Sequence, residues 1–356
     1  MDILSYMTAH GHEQLNIVTD PPSGLKAVIG IHDTTLGPAL GGCRFYPYEK
    51  EDDAILDVLR LSEGMSYKAA MAGLPLGGGK CVVIGDPRTD KSPELFRALG
   101  RAVQRMGGRY ITAEDVGTTV SDLETVSETT DFVVGLSEAH GGGGDPSPWT
   151  ALGVLRGIEA CAEFRWGSSD LDGVHVAIQG VGKVGYALAE LLHARGARLT
   201  VCDVNQQMLA RASAELGATI ASPDQIYATV CDIFAPCALG AVLNDRTIPQ
   251  LRCEIVAGSA NNQLEEPAHG AMLRDRGIVN APDYVINAGG LINVAAELEP
   301  EGYIEAQSRA RVMAIYDNVM AVLRRAEAEG IPSTVAADNE ARHRILSGQA
   351  VRQPAL

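Results

Sequence analysis

The sequence predicts a two-domain α/β protein, and three observations support that prediction. The chain of 356 residues is long enough for two domains that each bury a core. Strand-like and helix-like segments alternate through residues 1–135. Farther along, a strand, a glycine-rich turn, a helix and a second strand follow one another between Val174 and Asp203. That order is typical of a parallel sheet with helices on both faces.

Five strands and three helices are predicted in residues 1–135. Apolar runs bounded by turn residues predict the strands Leu15–Thr19, Leu25–His32, Cys43–Tyr48, Cys81–Ile84 and Tyr110–Ala113. Helical spacing of apolar residues predicts helices over Asp52–Ala70, from a Ser92 cap through Gln104, and over Ser121–Thr129. These assignments place Glu114 and Asp115 at the end of the last strand.

The stretch Gly77–Lys80 stands out for its chemistry. Lysine supplies only six of the 29 basic side chains, so this chain uses arginine wherever a positive charge is enough. Arginine keeps its proton in proteins, whereas a desolvated lysine can lose its proton and act as a base. Three glycines before Lys80 would let a ligand approach the backbone closely. Local sequence leaves two interpretations open: a catalytic base, or a solvated lysine on a surface turn.

The second domain contains the clearest motif. The passage Gly141–Gly144 is interpreted as a hinge or ligand-contacting loop, followed by a helix over Trp149–Phe164. The next elements are the strand Val174–Gln179, the turn Gly180-Val-Gly-Lys-Val-Gly185, a helix over Tyr186–Arg195 and the strand Arg198–Val201, before Asp203. This is the dinucleotide-binding pattern of a Rossmann domain, with a helix N-terminus for the pyrophosphate. The Asp203 carboxylate suits a ribose and opposes a 2′-phosphate, so NAD is expected rather than NADP.

Three further short strands are predicted at Cys231–Ala235, Glu254–Ala257 and Gly277–Val279. The loops that follow contain Pro236–Gly240, Gly258–Asn262 and Asn287–Gly290. Because parallel strands end at one edge of a sheet, we expect these loops to contact cofactor amide and ribose groups rather than to form simple turns. Helices over Ile304–Ala328 and Thr334–Leu346 follow, and the second could return to the first domain.

Charge and cysteine usage exclude several classes of function. A net charge of −16 argues against nucleic acid or an anionic membrane as a partner. No apolar run approaches the ~20 residues that span a bilayer, and no signal peptide is apparent. The seven cysteines are scattered, without C-x-x-C pairs or zinc spacing. His10 and His12 could form a metal arm, but a polar segment is the preferred interpretation. We expect a cytoplasmic protein without metal.

One set of motifs, taken in order along the chain, is specific enough to indicate a family. It comprises Leu36-Gly-Pro-Ala-Leu-Gly-Gly42, Lys68, Gly77-Gly-Gly-Lys80, Ala113-Glu-Asp115, the Gly180 turn, Ala260-Asn-Asn262 and Pro282-Asp-Tyr-Val-Ile-Asn-Ala-Gly-Gly290. This set resembles the glutamate/leucine/phenylalanine/valine dehydrogenases, and most closely their leucine branch. The resemblance implies a domain of residues 1–135 plus 330–356 that binds substrate and drives homo-oligomerisation. It also implies a Rossmann NAD-binding domain of residues 136–329, separated from the first by a cleft.

The reaction implied by the resemblance is reversible NAD-dependent oxidative deamination of an L-amino acid to a 2-oxo acid and ammonium. By the same resemblance, Lys80 is the catalytic base, Lys68 holds the substrate carboxylate, and Asp115 takes part in proton transfer. Substrate contacts are expected at Gly41, Gly42, Asn262 and Asn287, with a side-chain pocket of Leu40, Ala113, Leu291 and Val294. Cofactor contacts are expected at Thr150, Gly180, Val181, Gly182, Lys183, Val184, Gly185, Tyr186, Asp203, Cys237, Ala238 and Asn261.

The four pocket positions are uncharged, which favours leucine, valine or isoleucine. By the resemblance, glutamate enzymes place a lysine and a hydroxyl at two of these positions, and phenylalanine enzymes use smaller residues. Trp149 and Leu291 are larger than the family pattern suggests and could reshape the pocket. Alternatives are a phenylalanine or tryptophan dehydrogenase on the same scaffold, or a non-catalytic NAD-binding regulator. A zinc-type dehydrogenase is disfavoured because the ligand cluster is missing.

Overall fold

A computed structural model describes residues 2–348, which divide into two units. The first unit comprises residues 2–145, 294–305 and 341–348, and the second comprises Pro146–Asn293 and Ala306–Glu340. These divisions differ from the sequence-based domain limits after residues 135 and 329, which stay predictions. None of the described helices is both long and apolar enough to cross a membrane.

The first unit is a mixed five-stranded sheet with helices on both faces. Its helices are α1 (Ile3–His10), α2 (Glu51–Met71), α3 (Pro93–Gln104) and α4 (Val120–Ser127). Its strands are β1 (Gln14–Asp20), β2 (Leu25–Asp33), β3 (Ala39–Tyr46), β4 (Gly77–Ile84) and β5 (Tyr110–Glu114). The strand order is β1-β2-β4-β3-β5, and β2 runs antiparallel to both of its neighbours. The strand β3 therefore lies between β4 and β5.

Apolar faces of the helices hold this sheet in place. On one face, Ala54 and Val58 of α2 pack with Val28 and Val82. On the other face, α3 and α4 contribute to the larger apolar cluster, which includes Phe45. The predicted Ser92 cap is confirmed, because its side chain accepts a hydrogen bond from the backbone N–H of Leu95.

The two glycine-containing strands begin earlier than the sequence predicts. Gly41 and Gly42 lie inside β3, and Gly77–Gly79 lie inside β4. A Cβ atom at Gly41 would lie 1.7 Å from the carbonyl oxygen of Gly79, and one at Gly78 would lie 2.1 Å from the Ser66 nitrogen. The interpretation of Gly77–Gly79 as space for a ligand is therefore wrong. These glycines allow close packing of β3, β4 and α2.

The second unit is built on a six-stranded parallel sheet. From residue 147 onward the helices are α5 (Ser147–Trp166), α6 (Lys183–His193), α7 (Gln206–Leu216), α8 (Ala268–Asp275), α9 (Asp283–Ile286), α10 (Gly289–Ala295), α11 (Glu305–Met313), α12 (Ile315–Glu329) and α13 (Ser333–Ser347). The strands are β6 (His175–Gln179), β7 (Arg198–Cys202), β8 (Thr219–Ile220), β9 (Ile233–Pro236), β10 (Ile255–Val256) and β11 (Val279–Asn280). The order is β11-β10-β9-β6-β7-β8. The order reverses between β6 and β9, which is where doubly wound sheets bind ligands.

Some predicted elements need correction. The single helix predicted over Ile304–Ala328 is two helices, α11 and α12, divided at Ala314. The strand predicted at Gly277–Val279 lies at Val279–Asn280. Helices α1 and α7 were not predicted, although Asp2 and Asn205 cap their N-termini with side-chain hydrogen bonds.

Residues 294–305 belong to the first unit, and Glu297 is central to their attachment. The Glu297 carboxylate accepts a hydrogen bond from the Gly135 N–H and another from the Gly143 N–H, each at 2.9 Å. Burial raises the pKa of Glu297, and these backbone bonds oppose that shift. One carboxylate thus binds both ends of the glycine-rich segment 135–143.

Candidate active site

Lys80 and Asp115 meet although their strands are not neighbours. Lys80 lies on β4 and is only 5% exposed. Its Nζ atom lies 3.0 Å from Oδ2 of Asp115, which follows β5 directly. The intervening strand β3 carries Gly42 opposite Ala113 in the sheet register. A Cβ atom at Gly42 would clash with the Glu114 carbonyl oxygen at 2.6 Å, so glycine is required where the end of β5 passes closest to β3.

The loop after β5 is tied to β3, which fixes Asp115. The Asp115 N–H donates to Thr118 Oγ1 at 3.0 Å, and the Thr118 hydroxyl lies 2.9 Å from the carbonyl oxygen of Cys43. The Phe45 N–H donates to the carbonyl oxygen of Val116 at 2.9 Å. Sequence spacing places Asp115 at a strand end, and these bonds define its position.

Asp115 interacts with two cations. Besides Lys80, the Nε atom of Arg44 lies 3.0 Å from the same Oδ2 oxygen. Burial raises the pKa of the Asp115 carboxyl, but the charges of Lys80 and Arg44 outweigh that effect and hold the pKa below its ordinary value. Asp115 is therefore a carboxylate near neutral pH. Sequence reasoning missed Arg44, because its partner is 71 residues away along the chain.

The other substrate residues expected in the first unit occupy the same strands and the helix that packs on them. Lys68 is half-buried in the last turn of α2, two residues after Ser66, which packs against Gly78. Leu40 and Ala113 are buried on β3 and β5. The buried hydroxyl of Tyr110 donates to the carbonyl oxygen of Gly41 at 2.6 Å and fixes that peptide.

In the second unit, the turn after β6 has the geometry that its glycines predict. Gly180 has a φ of +96°, and its N–H donates to the Cys202 carbonyl oxygen at 2.8 Å. A Cβ atom at Gly185 would lie 2.0 Å from the Gly180 carbonyl oxygen, so this position allows α6 to pack close to the turn. Gly182 is the N-cap of α6, and a Cβ atom there would meet nothing within 4 Å. The N-terminus of α6 is therefore open.

Asp203 is joined directly to this turn. Its Oδ2 atom accepts a hydrogen bond from the Val181 N–H at 2.7 Å, and its Oδ1 atom accepts one from Asn205 at 2.8 Å. The exposed Ala238, after β9, packs against Gly180 across the reversal point of the sheet. Tyr186 differs from the rest, because its hydroxyl donates to Glu215 and its backbone N–H to Gly182. Its hydroxyl and its backbone N–H are therefore both engaged by protein partners.

The remaining residues that are expected to contact the cofactor lie in this turn or follow β9. Val181 is fully buried, Lys183 is exposed in the first turn of α6, Val184 is half-buried beside it, and Cys237 is half-buried after β9.

The asparagines of the later loops form a connected group. The Nδ2 atom of the buried Asn287 donates to Asn261 Oδ1 at 2.7 Å and to the Ser259 carbonyl oxygen at 3.1 Å. Its Oδ1 atom is buried and has no hydrogen-bond partner within residues 2–348. Asn262 is exposed, with a φ of +50°. Asn261 and Asn287 are thus in direct contact, and Asn262 is the residue after Asn261.

Three positions, one near the start of α5 and two on α10, complete the expected set. Thr150 Oγ1 donates to the Pro146 carbonyl oxygen at 3.1 Å, and a Cβ atom at Gly290 would lie 2.6 Å from that hydroxyl. Leu291 and Val294 are buried on α10.

Sequence comparisons decide the family. A profile described as "Glu/Leu/Phe/Val dehydrogenase, dimerisation domain" matches residues 12–132, and one described as "Glutamate/Leucine/Phenylalanine/Valine dehydrogenase" matches residues 202–347. The leucine dehydrogenase of Geobacillus stearothermophilus is 53% identical over 100% of this chain and 96% of its own length. The chain belongs to this family. The resemblance predicted from the motifs is confirmed, and the protein is an amino-acid dehydrogenase.

Two other relatives of this amino-acid dehydrogenase carry different names. The phenylalanine dehydrogenase of Bacillus thermotolerans is 50% identical over 94% of this chain and 88% of its own length. The crystal structure of L-tryptophan dehydrogenase from Nostoc punctiforme matches with a TM-score of 0.86 at 45% identity, covering 97% of this chain and 99% of that one. The two-domain α/β fold predicted from the sequence is confirmed by this match and by the two observed sheets.

Family membership implies a nicotinamide cofactor, and the second unit of the dehydrogenase fits one. The open N-terminus of α6 presents backbone N–H groups to a pyrophosphate, and Asp203 lies at the adjacent strand end. The buried, unpartnered Asn287 Oδ1 can accept a hydrogen bond from an amide or hydroxyl donor. Within residues 2–348, no group of three or more His, Cys, Asp or Glu side chains is placed to hold a metal ion.

Proposed function

We propose that this dehydrogenase catalyses the reversible, NAD-dependent oxidative deamination of leucine, valine and isoleucine. The observation that carries the proposal is the buried Lys80 in contact with Asp115, in a chain that is 53% identical to a leucine dehydrogenase. A buried amine can serve as the general base for a substrate ammonium, and the neighbouring carboxylate can exchange protons with that amine.

The nature of the pocket residues supports a branched aliphatic side chain. The residues assigned to the pocket by family resemblance are Leu40, Ala113, Leu291 and Val294, and each is at most 9% exposed. None carries a charge or a hydroxyl that could bind the side-chain carboxylate of glutamate. Discrimination of one methylene in an apolar pocket is worth only ~1–3 kcal/mol, so activity on all three branched substrates is expected.

In the proposed mechanism, Lys80 acts twice and Lys68 binds the substrate carboxylate. Neutral Lys80 removes a proton from the substrate ammonium, which frees the nitrogen lone pair to form the C=N bond. The bound cofactor supplies the acceptor for the hydride that leaves Cα. Lys80 passes the ammonium proton on through Asp115 and is neutral again when water adds to the iminium carbon. It takes a proton from that water and gives it to the amino group of the carbinolamine. Ammonia then leaves as the hydroxyl loses its proton to Lys80 and the carbonyl forms. Asp115 is an anion that can exchange protons with Lys80 across their 3.0 Å contact.

NAD rather than NADP is proposed because of the residues after β7. Asp203 is held by the Val181 and Asn205 N–H groups, and a 2′-phosphate would meet its negative charge. Residues 204–210 contain no lysine or arginine, and Arg211 is engaged by Glu215. A phosphate at this position would therefore have no cationic partner from this segment.

The test is a substrate panel followed by a matched pair of variants. Reduction of NAD is measured with L-leucine, L-valine, L-isoleucine, L-phenylalanine, L-tryptophan and L-glutamate. We expect the highest kcat/KM among the first three. Lys80→Ala should abolish activity, whereas Lys26→Ala, which removes an exposed lysine of β2, should not.

Two rival functions predict other results in this panel. A phenylalanine or tryptophan dehydrogenase would show a higher kcat/KM with the aromatic substrates, and relatives with those names share 50% and 45% identity with this chain. A non-catalytic NAD-binding regulator would bind NADH but reduce no NAD, in both the wild type and Lys80→Ala.

We further propose that the enzyme is a cytoplasmic homo-oligomer. Residues 12–132 match a profile described as a dimerisation domain, which supports self-association. Seven free cysteines, with Cys43 and Cys81 paired in register on neighbouring strands, suit a reducing compartment. Light scattering coupled to size-exclusion chromatography tests the proposed self-association. A mass of about 37.6 kDa would indicate a monomer and would contradict it.

A further inference from the structure

Arg44 connects the Lys80–Asp115 pair to a second carboxylate. Its Nε atom donates to Asp115 Oδ2 at 3.0 Å, and its Nη1 atom donates to Asp57 Oδ2 at 2.8 Å. The hydroxyl of Tyr48 donates to the same oxygen of Asp57. One guanidinium on β3 therefore bridges a carboxylate on α2 and the carboxylate that contacts Lys80.

The charges of two cations and two carboxylates cancel in this cluster, and solvent screens these charges only weakly. The side chains of Lys80, Asp115, Arg44 and Asp57 are 6%, 22%, 24% and 27% exposed. Burial opposes the charged form of Arg44, but Asp115 and Asp57 raise its pKa above the ordinary value. Arg44 consequently stays charged at any pH at which the enzyme works.

The other groups near this cluster do not replace Arg44. A hydrogen bond to Cys81 and burial raise the pKa of the Cys43 thiol, and burial raises that of the Tyr110 hydroxyl, so both are neutral. Burial and Asp57 likewise raise the pKa of Tyr48. From α2, Lys68 adds a positive charge that the family resemblance assigns to the substrate carboxylate.

The shared oxygen has a direct consequence for proton release. A carboxylate 3.0 Å from an ammonium favours the charged form of that ammonium, which opposes the use of Lys80 as a base. A second cation on the same oxygen neutralises part of the carboxylate charge and also repels the Lys80 ammonium. Both effects weaken the electrostatic attraction between Asp115 and the Lys80 ammonium.

We propose that Arg44 is a positioning residue that shares Asp115 Oδ2 with Lys80. It holds the Asp115 carboxylate ionised and in place, and it limits how firmly that carboxylate retains the Lys80 proton. Asp57 and Tyr48 hold Arg44 in turn. This inference rests on the proposed function, in which Lys80 must lose a proton before hydride leaves Cα.

The test is the pH dependence of kcat/KM for Arg44→Gln and Asp57→Asn. Arg44→Gln removes the competing cation, so the acid limb should move to higher pH by about one unit or more, with activity returning in alkaline solution. Asp57→Asn removes a negative charge and leaves the guanidinium to Asp115, so its acid limb should move to lower pH. Arg44→Lys keeps the charge and should lie between wild type and Arg44→Gln.

A purely structural role for Arg44 would not move the acid limb to higher pH in Arg44→Gln and to lower pH in Asp57→Asn. These opposite shifts therefore distinguish the proposed role from a structural one. An equal loss of activity at every pH in Arg44→Gln, or an unmoved limb in Asp57→Asn, would overturn the proposal. If Arg44→Gln fails to fold, as judged by its circular dichroism, the direction of the Asp57→Asn shift alone decides. A wild type that oxidises no amino acid would overturn the proposed function as well, whereas an active wild type with unmoved variants overturns only the role of Arg44.

Discussion

A Cβ atom at Gly42 would lie 2.7 Å from the Cβ atom of Asp115. Side chains on β4 and at the end of β5 can therefore meet only because the strand between them lacks a side chain at this point. The contact between Lys80 and Asp115 depends on a residue that takes no part in proton transfer itself.

Gly42→Ala should displace Asp115 and lower kcat by at least about 100-fold, since a shift of about 1 Å in a catalytic group has an effect of this size. The steady-state rate with L-leucine measures it. Gly64→Ala is the matched control, because a Cβ atom at this helical position meets nothing within 4 Å. That variant should keep its activity and gain up to about 1 kcal/mol of unfolding free energy. Full activity in Gly42→Ala would contradict the geometry.

Alanine substitutions at two glycines of the cofactor turn should impair different properties, one the stability of the fold and the other the binding of NADH. Gly185→Ala places a Cβ atom 2.0 Å from the Gly180 carbonyl oxygen, so its thermal midpoint should fall. Gly182→Ala meets nothing within 4 Å and should fold like the wild type, yet bind NADH at least about tenfold more weakly because the methyl group occupies the approach of the pyrophosphate. Thermal unfolding and NADH titration of both variants check this. Equal midpoints in the two variants would contradict the distinction.

Asp203→Ser should weaken the preference for NAD over NADP. Removal of the carboxylate ends its repulsion of a 2′-phosphate and its bond to the ribose, so the ratio of kcat/KM for the two cofactors should fall by about tenfold or more, or about 1.4 kcal/mol. Asp224→Ser, at an exposed position of the same unit, should leave the ratio unchanged. An unchanged ratio in Asp203→Ser would show that other residues select the cofactor.

Acid should destabilise the fold partly through His12. Burial lowers the pKa of His12, whose Nε2 atom lies 2.8 Å from the Leu59 carbonyl oxygen and whose Nδ1 atom has no partner among the described residues. Because the folded pKa is the lower one, the stabilisation is present above about pH 6.5 and is lost as the pH falls through the folded value. The nearby rings of Tyr6, His10 and His32, together with Glu63, surround the group that titrates.

The measurement for His12 is the thermal midpoint as a function of pH. The wild type should lose stability between about pH 7 and about pH 5, and His12→Gln should show a smaller loss over that range. His343→Gln, at an exposed position of α13, serves as the control and should follow the wild type. A steeper acid loss in His12→Gln than in the wild type would reverse the assigned sign.

Most of the fold could be predicted because local signals agreed with the final structure. Ser92 is a typical helix cap at the start of an apolar helical pattern, and Gly180 is a residue that tolerates the positive φ needed after a strand. In both cases the residue type and its position indicate the same local structure. The starts of β3 and β4 could not be predicted, since glycine is unfavourable in strands and its presence there depends on neighbours such as Tyr110 and Ser66. The division between α11 and α12 at Ala314 has no glycine or proline to mark it.

The candidate site was predictable where a motif carries its own chemistry, and less so elsewhere. Lys80 and Asp115 were identified by family resemblance, and the structure places them in contact. Arg44 lies in a run of apolar residues, and nothing near it in sequence indicates that it bridges Asp57 and Asp115. Such a role follows from strand order and helix packing, which no local pattern contains.

Glu297 closes the segment between Gly135 and Gly143 into a ring, and this affects how the protein can change over evolution. Residues 138–141 at the tip are exposed, while the Glu297 carboxylate holds both ends in place. Doubling the length of a closed flexible loop costs only about 0.6 kcal/mol, so inserted residues at this tip should be tolerated. Extra residues could be inserted here while Gly135 and Gly143 still bind Glu297. We therefore expect insertions in longer relatives to occur at this tip.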